Sequence, residues 1–410
     1  MSGTIGDNVY RASGVIAAAA AAGGVSWQAV ETGATFTAVA GNGYPVNTTA
    51  NACTVTLPAA ASVGDEIIFT DYARNFGTNA LTIDQNSLNY QGRSVVNPIY
   101  DTTGESIHIV YMDATKGWVP LYDGGTADES APTYTVEYLI IGGGGGGSRT
   151  YAGGGGAGGY RNSYASEDSG GGASTESVIT VTGGVVYTAD IGAAGAGATS
   201  YGSSSANNGY TGEDSVLSGA GLTTITSDGG GGAGANTEDG LAGGSGGGAG
   251  SGATSGGVGT TNQGYTGGSS TGASGWGACG GGGADAVGGD HAGTSDTGGD
   301  GGAGLDSDIT ASTVGRGGGG GGGSGGGGTR GSASDGGGSN AAGTANTGGG
   351  GSGTNASGSS YAGGSGVIIL RMADANYSGT TTGSPTVATG QGGSSNETVI
   401  TFTGDGSYTA

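Results

Sequence analysis

The stretch Arg316–Thr329 reads R-GGGGGGG-S-GGGG-T. Eleven of the twelve residues between its ends carry no side chain. Such a segment can neither enter a hydrophobic core nor supply a reactive group. It is either a flexible tether or an element whose stability comes from its backbone. A Gly/Ser tether is the simplest reading, but the surroundings argue against it. Further glycine runs stand at 142–147, 153–156, 229–232, 280–283 and 348–351, each followed by a turn-like polar stretch. Tyr201, Tyr210, Tyr265, Trp276 and Tyr361 are spread among them. Many short segments joined by loops fit this layout.

Polyproline-II helices have three residues per turn, a rise of about 3.1 Å and no internal hydrogen bonds. Without Cβ atoms, neighbouring helices of this kind can approach until N–H and C=O groups bond across the gap. Buried backbone groups are then paired between helices. On this reading 317–328 is an interior helix spanning about 37 Å, with Gly317, Gly320, Gly323 and Gly326 as lattice glycines at threefold spacing. The lattice is expected over about 192–365. A disordered linker and irregular β-structure remain the alternatives, because ordering glycine costs much entropy.

Outward from the glycine region the chain changes character. Glycine makes up 107 of 410 residues and only 6 are proline, without a Gly-X-Y period, which excludes collagen. Residues 26–128 read as an ordinary β-module. T-F-T-A-V-A, C-T-V-T-L, E-I-I-F-T-D, A-L-T-I-D, S-I-H-I-V-Y and W-V-P-L-Y are short strands separated by turn signals, the pattern of a sandwich or barrel. Trp27 and Trp118 are expected in its core or at a seam between subunits. Within 129–410, T-Y-T-V-E-Y-L-I-I at 133–141 runs straight into six glycines. V-I-T-V-T-G-G-V-V-Y-T-A-D-I at 178–191 reads as a hairpin about Gly183-Gly184. Strands at 366–371 and 398–403 complete a β-unit closing off the glycine mass. The expected fold class is therefore all-β plus polyglycine-II, with little helix: a small β-sandwich followed by a glycine-rich bundle. Residues 1–25 are too short to fold alone and read as an attachment segment.

The formal net charge is −23. Nucleic-acid partners are excluded, since phosphate contacts need Lys and Arg. Val15–Ala22 imitates a secretory leader, but Asp7 and the single Arg11 make a poor flank; maturation in a cytoplasm is expected. Cys53 and Cys279 do not make a disulfide framework. Lys116 is the only lysine, so no phosphate-binding P-loop exists, and chance G-x-G-x-x-G matches carry no weight. With only His108 and His291, neither a hydrolytic triad nor a multi-histidine metal centre is supplied. Asp290, His291, Asp296 and Asp300 form a weak cation candidate without EF-hand spacing, better read as a solvated acidic loop. No catalytic site and no cofactor are expected. Contact with a partner would fall to aromatic residues on loops, with Trp276, Tyr210 and Tyr265 as candidates.

Two blocks carry a family resemblance. W-Q-A-V-E-T-G-A-T-F-T-A-V-A with G-D-E-I-I-F-T-D and G-W-V-P-L-Y resembles a β-module of bacteriophage tail-fibre proteins. Y-L-I-I-G-G-G-G-G-G, V-T-G-G-V-V-Y-T and G-G-S-G-V-I-I-L-R are similar to glycine-rich domains of phage tail adhesins. The resemblance implies a virion tail protein made in the host cytoplasm. It further implies a homotrimer, N-terminal attachment to other tail proteins, and recognition of a host polysaccharide or outer-membrane protein at the far end. A structural virion component (head fibre or tail spacer) and a secreted glycine-rich bacterial surface protein are the alternatives.

Overall fold

In the computed structural model the described residues are 24–93, 97–125, 132–199, 207–253, 255–270, 275–291, 296–355, 359–393 and 396–410. The expected attachment segment lies outside them up to residue 23. The chain divides into two compact units on either side of residue 130.

The first unit is a two-sheet structure. Its first six strands are β1 (Ser26–Trp27), β2 (Thr35–Thr37), β3 (Asn42–Val46), β4 (Cys53–Thr56), β5 (Glu66–Asp71) and β6 (Leu81–Asp84). They alternate between the sheets, so β1, β3 and β5 pair in parallel and so do β2, β4 and β6. β7 (Ile99–Tyr100), β8 (Glu105–Tyr111) and β9 (Trp118–Gly125) then add antiparallel. This is a wound coil rather than a hairpin sandwich, and turn signals alone do not distinguish the two. Alternate residues such as Val55, Ile67, Phe69, Leu81, Ile83, Ile107 and Ile109 face inward and fill the space between the sheets. Trp118 is fully buried there, whereas Trp27 stands half exposed on edge strand β1. Cys53 is a buried free thiol whose pKa burial pushes up to about 11.

The second unit has a strand end and a glycine body. One sheet runs β11 (Tyr160–Asn162), β10 (Thr133–Ile141), β18 (Val367–Ala373), β21 (Glu397–Phe402) and β20 (Thr386–Gln391), with β12 (Ile179–Thr182) also on β10. A second contains β15 (Leu222–Ser227), β14 (Ser215–Gly219), β13 (Val186–Asp190), β22 (Gly406–Thr409) and β19 (Thr380–Thr382). Val136, Tyr138, Ile368, Leu370, Ile400 and Phe402 of the first pack against Tyr187, Leu217, Ile225 and Tyr408 of the second. The expected hairpin is corrected here. β12 and β13 flank Gly183-Gly184 but pair in different sheets. The turn is a corner over the shared core, because β10 takes β12 while β14 and β22 take both sides of β13.

The glycine body is a lattice of threefold helices. In 142–147 the N–H groups of Gly142 and Gly145 donate to Gly159 and Gly156, those of Gly143 and Gly146 to Glu213 and Tyr210, and those of Gly144 and Gly147 to Gly364 and Tyr361. Residues three apart thus bond the same neighbour, and all three neighbours run antiparallel. The carbonyls accept from three others: Gly143 and Gly146 from Gly230 and Ala233, Gly144 and Gly147 from Gly195 and Ala198, and Gly145 from Gly351. Six neighbours around a helix with three residues per turn is the hexagonal packing that polyglycine-II requires. The lattice therefore begins at 142, not at 192, and the helices over 142–147 and 153–159 lie inside it.

The quoted run is a second interior helix, but only in part. Gly319 and Gly322 donate to Gly302 and Gly299, Gly320 and Gly323 to Gly155 and Ala152, and Gly318 and Gly321 to Asp335 and Gly338. Gly317 enters with φ +76 and donates to Thr347. Gly326 is a correction: at φ +50, beside Gly327 at φ +97, it forms a turn closed by a Gly328 N–H bond to the Gly325 carbonyl. The lattice helix ends before it, and the second glycine run is a connection rather than a continuation.

A Cβ on Gly320 would lie 2.2 Å from the Gly351 carbonyl oxygen. Glycine places only a hydrogen there, compatible with a weak C–H···O contact. Gly320→Val is expected to lower the melting temperature of the full chain and expose the glycine region to protease. Unchanged melting and protease resistance would contradict the lattice.

Candidate contact surface at the loop end

Strands and loops sort to opposite ends of the lattice. Ile141 of β10 precedes Gly142, Tyr160 of β11 follows Gly159, Arg316 of the short strand β17 (Val314–Arg316), paired with β16 (Leu305–Ser307), precedes Gly317, and Val367 of β18 follows Gly366. The antiparallel partnering above places those residues at one end. The turns at 148–152, 236–238 and 325–328 therefore gather at the other. A helix that descends from a strand must turn there before it climbs back.

The lattice rim is finished by aspartates. A rim helix lacks the neighbour whose carbonyl would accept its outward N–H. Asp214 accepts from Gly229 at 2.8 Å, Asp239 from Ser255 at 2.9 Å, Asp335 from Gly304 at 2.9 Å, and Asp290 from Ser269 at 2.7 Å. Asp300 accepts from both the N–H (2.7 Å) and the hydroxyl (2.8 Å) of Ser332. A short carboxylate is well suited to replace a missing carbonyl, since bonds to a charged acceptor are the stronger kind. Orphaned carbonyls are less strictly in need of partners, and so the bias is acidic rather than basic.

The weak cation candidate dissolves into this pattern. Asp290 and Asp300 bond neighbouring helices, Asp296 accepts from the Trp276 N–H at 3.1 Å, and His291 is buried with its ring beside the Ser270 hydroxyl. His291 is thus not part of a solvated loop. Among the described residues no group of three or more His, Cys, Asp or Glu is placed to hold a metal. Cys279 sits within a lattice helix, its N–H on Ala249 and its carbonyl taking the Gly154 N–H. Burial pushes its thiol up to about 12.

The three aromatic candidates separate. Trp276 lies at the loop end, half exposed, with its ring 4.6 Å from that of Tyr151 and tilted by 35°. The quoted run's second half explains its placement. A Cβ on Gly325 would meet the Trp276 Cβ at 2.1 Å, and one on Gly326 would meet the Asp296 carboxylate. The glycine turn is a cradle for Trp276 and Asp296. Tyr210 has its backbone in the lattice, bonded to Gly146 and Ala196, with its side chain exposed on the rim. Tyr265 stands apart from Trp276: it follows the turn at 260–264 at the strand end, half-buried, with its hydroxyl against Gly172. Tyr151 was missed by reading the sequence, although S-R-T-Y-A between two glycine runs marks a loop carrying an aromatic residue.

A family model described as a glycine-rich domain matches residues 123–373. The chain belongs to the glycine-rich domain family. That span takes in the strands leading into the lattice and the lattice itself, closing with β18. No curated protein matches the chain. Within this glycine-rich domain, the rim bonds are a testable part of the site's support. Asp300→Ala is expected to destabilise the protein by about 0.5–1 kcal/mol in denaturant unfolding, because it removes the bonds to the exposed Ser332 and water replaces them only in part. Stability equal to the parent would show that the carboxylate is ornamental.

Proposed function

We propose that the chain is a bacteriophage tail-fibre or fibre-tip protein that recognises the host cell surface, with no catalytic role. The observation carrying this reading is the polarity of the second unit. Sheets gather at one end, a side-chain-poor lattice fills the middle, and loops bearing the Tyr151–Trp276 pair close the other. Such a lattice holds many loop ends at fixed spacing without a large core. Loops that need not order on contact lose less free energy in binding. Half-exposed Trp and Tyr are well suited to such contact, presenting large area with few rotatable bonds.

On this reading the N-terminal segment joins other tail proteins and the mature form is a virion-borne homotrimer. The partner is a host polysaccharide or outer-membrane protein, and the protein is made in the host cytoplasm. The strong negative charge fits a surface working in salty surroundings, where the Debye length is 10 Å or less at about 0.1 M and above.

The test is adsorption. Purified virions are expected to contain the chain by mass spectrometry, and an excess of purified full chain is expected to slow adsorption to host cells. Trp276→Ala, folded as judged by circular dichroism, is expected to lose that inhibition. Absence from virions, or adsorption indifferent to the full chain, would overturn the reading.

A further inference from the structure

The basic residues of the second unit are few and are not placed alike. Arg161 is paired with Glu176 at 2.5 Å beside the strand end. Arg371 is buried, paired with Glu397 at 2.6 Å, and stacks over Tyr164. Arg316 is buried at the head of its lattice helix. All three serve the fold, and Arg149 stands in the turn at 148–152, next but one to Tyr151. Arg330 differs. It stands one residue before Gly331, which bonds Gly322 near the loop end of the lattice. Its partners are neutral amides: Nη1 donates to the Asn340 Oδ1, and Nη2 to the Asn355 Oδ1 at 3.4 Å. The Tyr361 hydroxyl donates to the same Asn340 oxygen at 3.3 Å. Asn340 holds this position at φ +56, a left-handed conformation that Asn tolerates better than most residues.

This cluster continues the aromatic pair. Asn355 follows Thr354, whose carbonyl takes the N–H of Ala152, and Tyr151 precedes Ala152. Tyr361 sits on the other side, its carbonyl bonded to the Gly147 N–H at the foot of the first lattice helix. The loop end thus carries two contact groups, Trp276–Tyr151 and Asn355–Arg330–Asn340–Tyr361, joined through the backbone bond between Ala152 and Thr354. Asp296, which adjoins the first group, is engaged by the Trp276 N–H and lies over Gly326.

A guanidinium offers five N–H donors, and the two amide oxygens use two of them. The remainder suit the two oxygens of a carboxylate in a fork. The amides fix the plane of the guanidinium without neutralising it, as a carboxylate partner would. Beside it, aromatic faces suit the C–H faces of pyranose rings, and the amide N–H₂ groups of Asn340 and Asn355 suit sugar hydroxyls. The geometry points to a binding site for a carboxylated polysaccharide, with Arg330 holding the uronate carboxylate and Trp276–Tyr151 stacking an adjacent ring. This deepens the host-recognition reading and rests on it for biological meaning. The site's chemistry can be tested separately.

The experiment measures retention of the full chain on immobilised polygalacturonate and on the same polymer after carboxyl reduction. At about 0.15 M salt, where repulsion between the chain of net charge −23 and the polymer is largely screened, the parent is expected to bind the acidic polymer. Arg330→Gln is expected to weaken binding by about tenfold or more, the range for losing a charge-assisted bond. Arg330→Lys should keep part of it. Circular dichroism and melting check that both variants fold. Equal retention on the reduced polymer, or full retention by folded Arg330→Gln, would overturn the proposal. Adsorption competition separates the two readings. A full chain that blocks adsorption but whose retention on the acidic polymer does not depend on Arg330 leaves host recognition standing and rejects this site. Arg330-dependent retention by a chain that does not block adsorption keeps the site and rejects host recognition.

Discussion

The structure depends on one interaction, the backbone hydrogen bond between chains that have no side chains to keep them apart. In a sheet each strand has two neighbours. In the glycine lattice a helix such as 142–147 has six, because a threefold screw turns successive N–H and C=O groups to different sides. Each bond contributes about 1 kcal/mol net, no more than the cost of ordering a residue. Glycine makes that cost large. The lattice therefore needs its ends held, and the two-sheet core of Val136, Tyr138, Ile368, Leu370, Ile400 and Phe402 against Tyr187 and Leu217 holds them. Leu139, Ile141, Val367 and Ile369 on the opposite face of β10 and β18 pack with Tyr160, Ala284 and Ile309, so the same strands also grip the head of the lattice.

Two compositional oddities follow from this constraint. Interior positions hold Gly and other small residues; Ala157, Ala233, Ala249, Ala278, Ser245, Ser352 and Cys279 are fully buried there. Rim positions must supply acceptors to outward N–H groups, and aspartate does so repeatedly. The acidity of the glycine region is thus in good part structural. Against this background Arg330, held by amides at the loop end, stands out.

The sequence made the architecture legible where a rule has a short range. Seven consecutive glycines bracketed by strands specify a lattice helix, and alternation in C-T-V-T-L and E-I-I-F-T-D specifies strands. What stayed hidden depends on distant partners. Gly326 and Gly320 look alike in a run of glycines, yet one turns at positive φ around Asp296 while the other packs on Gly351. V-T-G-G-V-V has every mark of a hairpin, but its halves are claimed by β10 on one side and by β14 and β22 on the other. Parallel winding of the first unit was invisible because strand direction leaves no local mark. The candidate site was half legible: Trp276 was read as an exposed aromatic, whereas its pairing with Tyr151 and the approach of Asn355 and Asn340 to Arg330 are made by the lattice alone.

The central claim is that glycine runs are ordered by bonds to their neighbours, and hydrogen exchange on the full chain reads those bonds directly. Amides of 142–147 and 318–323 are expected to be protected to the same order as those of strands β10 and β18. The turn residues Gly326 and Gly327 are expected to exchange quickly. Exchange of all glycine runs at the rate of free peptide would contradict the lattice and return Arg316–Thr329 to a tether.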